Sequence, residues 1–310
     1  MILTVTLNPS VDISYTLNEL SLDTVNRVTD VTKTAGGKGL NVSRVLQHLD
    51  EDVAASGFLG GSLGAFIRTE ISEQGIEDFF VSIDGETRNC IAVLHEGQQT
   101  EILESGPVIN KDEAVQFLDK FSAYVQKVDI VTISGSLPKG LENDFYARLL
   151  EIAKQYDTPV LLDTKGELLS HVLESKNKPF LIKPNQDELG DMLGEKVTNE
   201  VQIADALKSR QFTDIPWVVV TTGASGAFVK HNKDIYRVTT PKVDAVNPVG
   251  SGDSVIAGFA SGLSRGFADE KFIKYGLAMG VLNAMEAKTG SINPEKKEWC
   301  MDQIRVEKIS

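Results

Sequence analysis

Short apolar runs alternate with amphipathic stretches along most of the chain. Residues 2–7, 53–59, 91–95, 128–134, 159–163, 180–183 and 217–221 have strand length and high apolar content. Several are continuous rather than alternating, as in strands buried on both faces of a parallel sheet. Between them the period changes. Val42, Val45, Leu46 and Leu49 recur at i, i+3, i+4 and i+7, and Phe145, Leu149, Leu150 and Ile152 form a similar helical stripe. Strands alternating with helices predict βαβ units and an α/β fold. The expected architecture is a three-layer αβα arrangement, with a doubly wound, mostly parallel sheet between two helical layers.

Two segments break this rhythm. Residues 12–34 carry short alternating stretches and no helical stripe. Residues 88–104 read as two strands around the turn Glu96-Gly97-Gln98-Gln99. Neither fits inside a doubly wound sheet, so together they are expected to form a small β-sheet lid or an oligomer contact. There is no internal repeat, low-complexity tract or long linker, which predicts one domain over residues 1–310. In the C-terminal third, Ala257-Gly258-Phe259-Ala260 and the small residues between 276 and 287 predict closely packed helices. That pattern suits a core contact and a ligand-lining helix equally.

With 310 residues, 41% hydrophobic and 24% charged, the chain can bury a full core and does not have a disordered composition. Its 44 acidic against 31 basic residues leave a net charge of −13. That is a poor match for nucleic acid or an anionic membrane, although an anionic small molecule is admissible where basic side chains converge. Cys90 and Cys300, the two cysteines, make no C-x-x-C and no disulfide framework. No basic region precedes an apolar run at the N-terminus, and no run nears the ~18 apolar residues that span a bilayer, so the expected compartment is the cytoplasm.

Four loops carry candidate chemistry. Asn247-Pro248-Val249-Gly250-Ser251-Gly252-Asp253-Ser254 precedes the apolar run Val255-Ile256-Ala257. A glycine-rich turn opening a helix offers free N–H groups and the positive end of the helix dipole, which suits a phosphate. Asp253 in that turn fits a catalytic carboxylate, but taken alone it fits a helix cap somewhat better. Ala35-Gly36-Gly37-Lys38-Gly39-Leu40-Asn41-Val42-Ser43 again sets glycines before a helix, with Lys38 and Asn41 able to reach an anion or sugar hydroxyls. It is not a Walker A loop, because Thr32 and Gly39 stand where that pattern needs Gly and Ser or Thr; the bland alternative is a tight packing turn. Lys183-Pro184-Asn185-Gln186-Asp187-Glu188 follows a buried apolar run, at a strand end where open α/β sheets bind ligands. Asn185 and Glu188 suit Mg2+ held partly through water, and their spacing suits an Asn-x-x-Glu capping box better. Thr221-Thr222-Gly223-Ala224-Ser225-Gly226-Ala227 fits a loop over nucleotide phosphates and, equally, a hairpin turn into residues 227–230.

Other signatures fail. Gly60-Gly61-Ser62-Leu63-Gly64 and Gly262-Leu263-Ser264-Arg265-Gly266 match G-x-S-x-G. No His follows Ser264, however, and His171 and His231 sit in unremarkable contexts for a triad with Ser62. G-x-G-x-x-G is absent, which disfavours a dinucleotide oxidoreductase. His48, His95, His171 and His231 have no metal-ligand spacing.

Taken together, the four loops resemble the signatures of ribokinase-like (PfkB) sugar kinases over essentially the whole length. Gly36-Gly37-Lys38-Gly39-Leu40-Asn41-Val42 resembles the first signature and residues 247–258 the second, accompanied by Lys183-Pro184-Asn185-x-x-Glu188. Thr4-Val5-Thr6-Leu7-Asn8-Pro9-Ser10-Val11-Asp12, Gly85-Glu86-Thr87-Arg88 and Ser134-Gly135-Ser136-Leu137-Pro138 resemble the branch that phosphorylates ketohexose phosphates. The resemblance implies an ATP-dependent, Mg2+-assisted kinase of a small sugar phosphate, with a lid over the site and a homodimer paired through that lid. It implies Asp253 as general base, with Gly250, Ser251 and Gly252 forming an anion hole. It implies Asp12, Gly37 and Asn41 on sugar hydroxyls, and Lys38, Arg27 and Arg88 on the substrate's phosphate. Asn185 and Glu188 would organise Mg2+ through water. Thr222, Gly223 and Gly226, joined by Lys183, would meet nucleotide phosphates, and Asn283 would lie near the adenine. The rival of another class is a non-catalytic sugar-phosphate sensor on the same fold; the retained Asp253, Gly250 and Gly252 speak against it.

Overall fold

The computed structural model describes residues 1–310. The first half runs β1 (Ile2–Thr6), β2 (Ser10–Leu17), β3 (Asp30–Gly36), α1 (Lys38–His48), β4 (Val53–Leu59), α2 (Gly61–Glu73), β5 (Glu77–Asp78), β6 (Val81–Ser82), β7 (Arg88–His95), β8 (Gln98–Leu103), α3 (Lys111–Val125) and β9 (Ile130–Ser134). The second half runs α4 (Phe145–Gln155), β10 (Val160–Asp163), α5 (Gly166–Glu174), β11 (Leu181–Ile182), α6 (Gln186–Leu193), α7 (Glu200–Ala206), β12 (Trp217–Thr221), β13 (Ala227–His231), β14 (Asp234–Thr239), α8 (Ser251–Ser264), α9 (Asp269–Ala284), α10 (Lys297–Gln303) and β15 (Arg305–Lys308).

The main sheet has the order β15-β14-β13-β12-β11-β10-β9-β1-β4-β5, with β6 extending the far end of β4. It is parallel from β5 to β12 and antiparallel from β12 to β15. The continuous apolar runs are therefore the parallel strands, covered by helices on both faces. β1 lies at the centre and is buried along its whole length. Its alternate residues feed two separate cores. Leu3 and Val5 join the core that includes Phe117 of α3 and Leu149 of α4; Ile2 joins the one that includes Val42 of α1 and Phe259 of α8.

On the second of these faces the strand is polar. Thr4 Oγ1 hydrogen-bonds Ser43 Oγ at 2.6 Å. A Cβ on Gly39 would lie 2.1 Å from Thr6 Oγ1, so only glycine lets the start of α1 sit on the carboxyl end of β1. The small-residue stripe of the C-terminal third is a helix contact. A Cβ on Gly258 would stand 2.9 Å from the Gly276 Cα, so α8 and α9 touch almost backbone to backbone. The core alternative for that stripe is the one realised, and it places α8 with its N-terminus at the sheet's carboxyl edge.

The two rhythm-breaking segments form a separate four-stranded sheet, β3-β2-β7-β8. Glu96 and Gly97, both at positive φ (50° and 72°), join β7 to β8. This is the two-residue hairpin turn whose twist suits a β-ribbon. Strict alternation divides the sheet's faces. Val11 and Ile13 pair with Ala35 and Lys33 on one side and with Asn89 and Ile91 on the other, and Val11, Ile13 and Ala35 pack into the α1–α2 core. Ser10, Asp12, Arg88 and Cys90 fall on the opposite, polar face. No helix is long and apolar enough to cross a membrane.

Candidate active site

The N-terminus of α8 is built by its glycines. Gly250 is the N-cap in a left-handed conformation (φ 81°), and a Cβ there would also lie 2.6 Å from Thr289 Cγ2. The N–H groups of Gly250, Gly252 and Asp253 find no acceptor in the protein. Such a trio at a helix start is an anion site in waiting. The expectation that Ser251 would contribute its amide differs from the structure: that N–H turns inward to the Pro248 carbonyl at 3.2 Å, and the amide of Asp253 takes its place.

Asp253 is the third residue of α8 rather than its cap, and its carboxylate makes no capping bond. It is 5% exposed and accepts a 2.7 Å hydrogen bond from Asn41 Nδ2 on α1. Asp163, at the carboxyl end of β10 and 1% exposed, stands between two lysines. Its Oδ2 is 3.3 Å from Lys38 Nζ and its Oδ1 is 3.3 Å from Lys183 Nζ. Burial opposes ionisation of Asp163, but Lys183 and Lys38 outweigh it and hold the carboxyl below its usual range. Asp253 goes the other way. Burial, reinforced by the negative charge of Asp163, pushes it up to about 6 against the pull of Lys38, Asn41 and Lys183. Two neighbouring carboxyls thus have opposite protonation tendencies, an arrangement typical of acid–base sites. Lys38 is itself held protonated: burial opposes this, and Asp163, Asp253 and Glu188 overcome it.

The polar face of the small sheet supplies the other wall. The Asp12 carboxylate receives Ser10 Oγ at 2.6 Å and lies directly over Gly36, where a Cβ would meet its Cγ at 2.1 Å. Burial raises the Asp12 pKa, with the Ser10 hydrogen bond, Arg44 and Arg88 opposing. Gly37, at φ 109°, caps α1 beside it. Arg88 donates to the carbonyls of Glu104 (3.0 Å) and Asn8 (3.1 Å), while its Nε and the Asn8 Oδ1 are buried without partners. A cavity of about 230 Å³ opens here between Thr87, Arg88, Asn89, Ser105 and Gly106. Lys38 belongs to the Asp163 pair, and Arg27 lies exposed in the β2–β3 loop with no hydrogen bond or ion pair.

The pfkB family carbohydrate kinase model matches residues 5–296. Membership is decided by that span. The chain belongs to the pfkB family of carbohydrate kinases. Proteins named tagatose-6-phosphate kinase from two strains of Staphylococcus epidermidis are 52% identical to this kinase over 307 residues, 99% of this chain and 99% of theirs. The solved structure of a Staphylococcus aureus protein described as a phosphofructokinase is similar at a TM-score of 0.86 and 33% identity, over 100% of this chain and 99% of that one. That of a Thermotoga maritima protein described as a possible 1-phosphofructokinase is similar at a TM-score of 0.90 and 25% identity, over 100% of both chains.

In this kinase, Asn185 and Glu188 form a complete capping box on α6. Asn185 Oδ1 accepts from the Glu188 N–H at 2.8 Å, and Glu188 Oε2 accepts from the Asn185 N–H at 2.9 Å. One carboxylate oxygen of Glu188 stays uncommitted. No group of three His, Cys, Asp or Glu side chains forms a cage. Thr222 and Gly226 close the β12–β13 hairpin, with the Thr222 N–H on the Gly226 carbonyl at 2.9 Å. The Thr221 N–H bonds the Pro184 carbonyl, which sets Thr222 and Gly223 against the Lys183–Glu188 loop.

Asn283 differs from expectation. It is fully buried in α9. Its Oδ1 accepts from Ser254 Oγ (3.1 Å) and the Gly290 N–H (2.9 Å), while its Nδ2 donates to the Val249 carbonyl (2.9 Å) and Ser251 Oγ (3.3 Å). Every hydrogen-bonding position of the amide is used, which leaves none for an adenine. Asn283 instead braces the glycine loop at α8. Two members of the site escaped the motifs: Asp163, whose only sequence signal is a carboxylate closing a buried apolar strand, and Arg44, which has no local signal.

Proposed function

We propose that this kinase transfers the γ-phosphoryl group of ATP to the free primary hydroxyl of D-tagatose 6-phosphate, giving ADP and D-tagatose 1,6-bisphosphate. The observation that carries the chemistry is the buried Asp253 carboxyl, at about 6, beside three unpaired amides at the start of α8. Asp253 takes the proton as the sugar oxygen attacks phosphorus. A base with a pKa just below neutrality is ionised at working pH and still basic enough to accept it. The amides of Gly250, Gly252 and Asp253 meet charge on the phosphoryl group in flight, which is most of what catalysis of this transfer requires. Asp12, Gly37 and Asn41 orient the sugar hydroxyls, and Arg88 takes the existing phosphate. Lys183 and the Thr222–Gly223–Gly226 turn hold nucleotide phosphates. Glu188, beside Asn185, would hold Mg2+ through water, and that ion would neutralise phosphate charge. The small sheet serves as a lid that keeps water from competing as acceptor.

The choice of sugar follows the S. epidermidis relatives. The T. maritima neighbour motivates the second reading, fructose 1-phosphate as acceptor. Comparing kcat/KM for tagatose 6-phosphate, fructose 6-phosphate and fructose 1-phosphate with Mg-ATP decides between them. Tagatose 6-phosphate is expected to lead. A higher value for fructose 1-phosphate replaces the substrate, and no ADP release with any of the three removes the kinase reading.

A further inference from the structure

Arg44 lies one turn along α1 from Asn41, with its guanidinium folded inward. Its Nη1 donates to the Ala35 carbonyl at 2.5 Å, at the base of β3. Its Nη2 donates to the Asn41 Oδ1 and, at 3.5 Å, to the Thr289 carbonyl. Asn41 in turn gives its Nδ2 to Asp253. We propose that Arg44 is a positioning residue: it fixes the Asn41 amide in the orientation that donates to the Asp253 carboxylate, and it links that orientation to the base of the small sheet.

The argument is one of donor and acceptor parity. An asparagine side chain fits a site either way round, and its neighbours choose. Arginine has five N–H donors and no acceptor, so only the oxygen of Asn41 can face it. The NH2 group is then left for Asp253. Reversed, the amide oxygen would point at a buried carboxylate and leave an Arg44 donor empty, and each such loss inside a protein is costly. The other neighbours do not enforce this choice. Gly290 presses on the Asn41 backbone, where a Cβ on that glycine would be 2.9 Å from Cα, and leaves the amide alone. Arg44 makes no hydrogen bond to Asp253 or to the phosphate-binding amides, so its bonded route to the carboxylate runs through Asn41, while its charge also acts on Asp12 and Asp253 directly.

The consequence is a titration. The charged groups around Asp253 are Asp163 from β10, Lys183 after β11, and Lys38 and Arg44 from α1. Those around Arg44 are Asp12 from β2, Glu70 from α2, Asp253 from α8 and His48 on its own helix. The Asn41 bond favours the ionised form of Asp253. Without Arg44 the amide loses the donor that holds its oxygen away from Asp253, burial and Asp163 act with less opposition, and the carboxyl holds its proton to higher pH. The acid limb of the rate profile therefore moves up.

This inference rests on Asp253 being the general base. The test is kcat/KM against pH from 5 to 9 for the parent, Arg44→Met, Arg44→Gln and Arg44→Lys, each checked for folding by thermal unfolding. In Arg44→Met the acid limb is expected to rise by about half to one pH unit. For a full unit that is a loss of roughly fivefold at pH 6, shrinking to near parity above pH 8. Arg44→Lys, which keeps a charged donor for Asn41, is expected to return the limb most of the way. Arg44→Gln, with a neutral donor, gives a smaller shift of the same sign and serves if methionine prevents folding. A loss by the same factor at every pH, or a limb that does not move, overturns the proposal. An Asp253→Asn enzyme that keeps its turnover overturns the base reading, and this one with it.

Discussion

Asp253 is a carboxylate from which water is excluded and which has a second carboxylate, Asp163, close by. Both features oppose its ionisation. Folding therefore favours its protonated form. That contribution to stability is fully present below the unfolded value near 3.8 and is lost as pH rises through about 6. At pH 8 the ionised group costs the folded state up to about 3 kcal/mol. Asp253→Asn keeps the shape and removes the charge, so two outcomes are expected together. Turnover falls by about 10²- to 10⁴-fold with ATP and sugar still bound. Thermal stability rises at pH 8, and the gain over the parent shrinks by pH 5. A gain of equal size at both pH values would contradict the raised pKa, and kcat within a few-fold of the parent would contradict the base. The glycine loop was legible as a turn opening a helix because glycines before an apolar run are a local signal, whereas Asp253 within it read somewhat better as a cap. Asn283 was misplaced because an asparagine on a helix carries no mark of which groups it will meet. Only the approach of residues 249–254 to α9 shows that it braces a loop.

At the scale of elements, the position of the base depends on how α8 lies against α9. A Cβ on Gly276 would fall 2.7 Å from ring carbons of the fully buried Phe259. Alanine is the better helix former by about 1 kcal/mol, yet overpacking of this kind costs about 1–3 kcal/mol, so the packing effect wins. Gly276→Ala is expected to lower the midpoint of chemical unfolding with an unchanged slope, and a midpoint at or above the parent's would show that Phe259 relaxes freely. The strongly periodic α1 and α4 and the apolar parallel strands were legible from pattern alone. β11 spans two residues where the apolar run suggested four, although the flanking Phe180 and Lys183 N–H groups still bond the Val160 and Leu162 carbonyls of β10. The antiparallel edge β14–β15 was not legible. Its residues are mixed in exposure without a regular alternation, so nothing local distinguishes the edge strands from a loop.

For the whole molecule, the small sheet leaves apolar side chains on its outermost strand: Ile102 and Leu103 are 58% and 60% exposed. A second copy of the chain, paired lid to lid, would cover them. The protein is expected to run as a dimer of twice 33.7 kDa by light scattering, and Ile102→Glu with Leu103→Glu is expected to give a folded monomer with a raised KM for the sugar. A parent that is monomeric at assay concentrations would discard the pairing. The sequence by itself determined the fold class and the glycine-rich loops proposed to carry the chemistry, because buried strand runs, helical stripes and glycine turns are local features with local physical causes. Only the tertiary structure decided the charges of the site. Asp253 is 212 positions from Asn41 and 90 from Asp163, and whether it caps a helix or takes a proton depends on the low-dielectric space that β10, α1 and α8 enclose together.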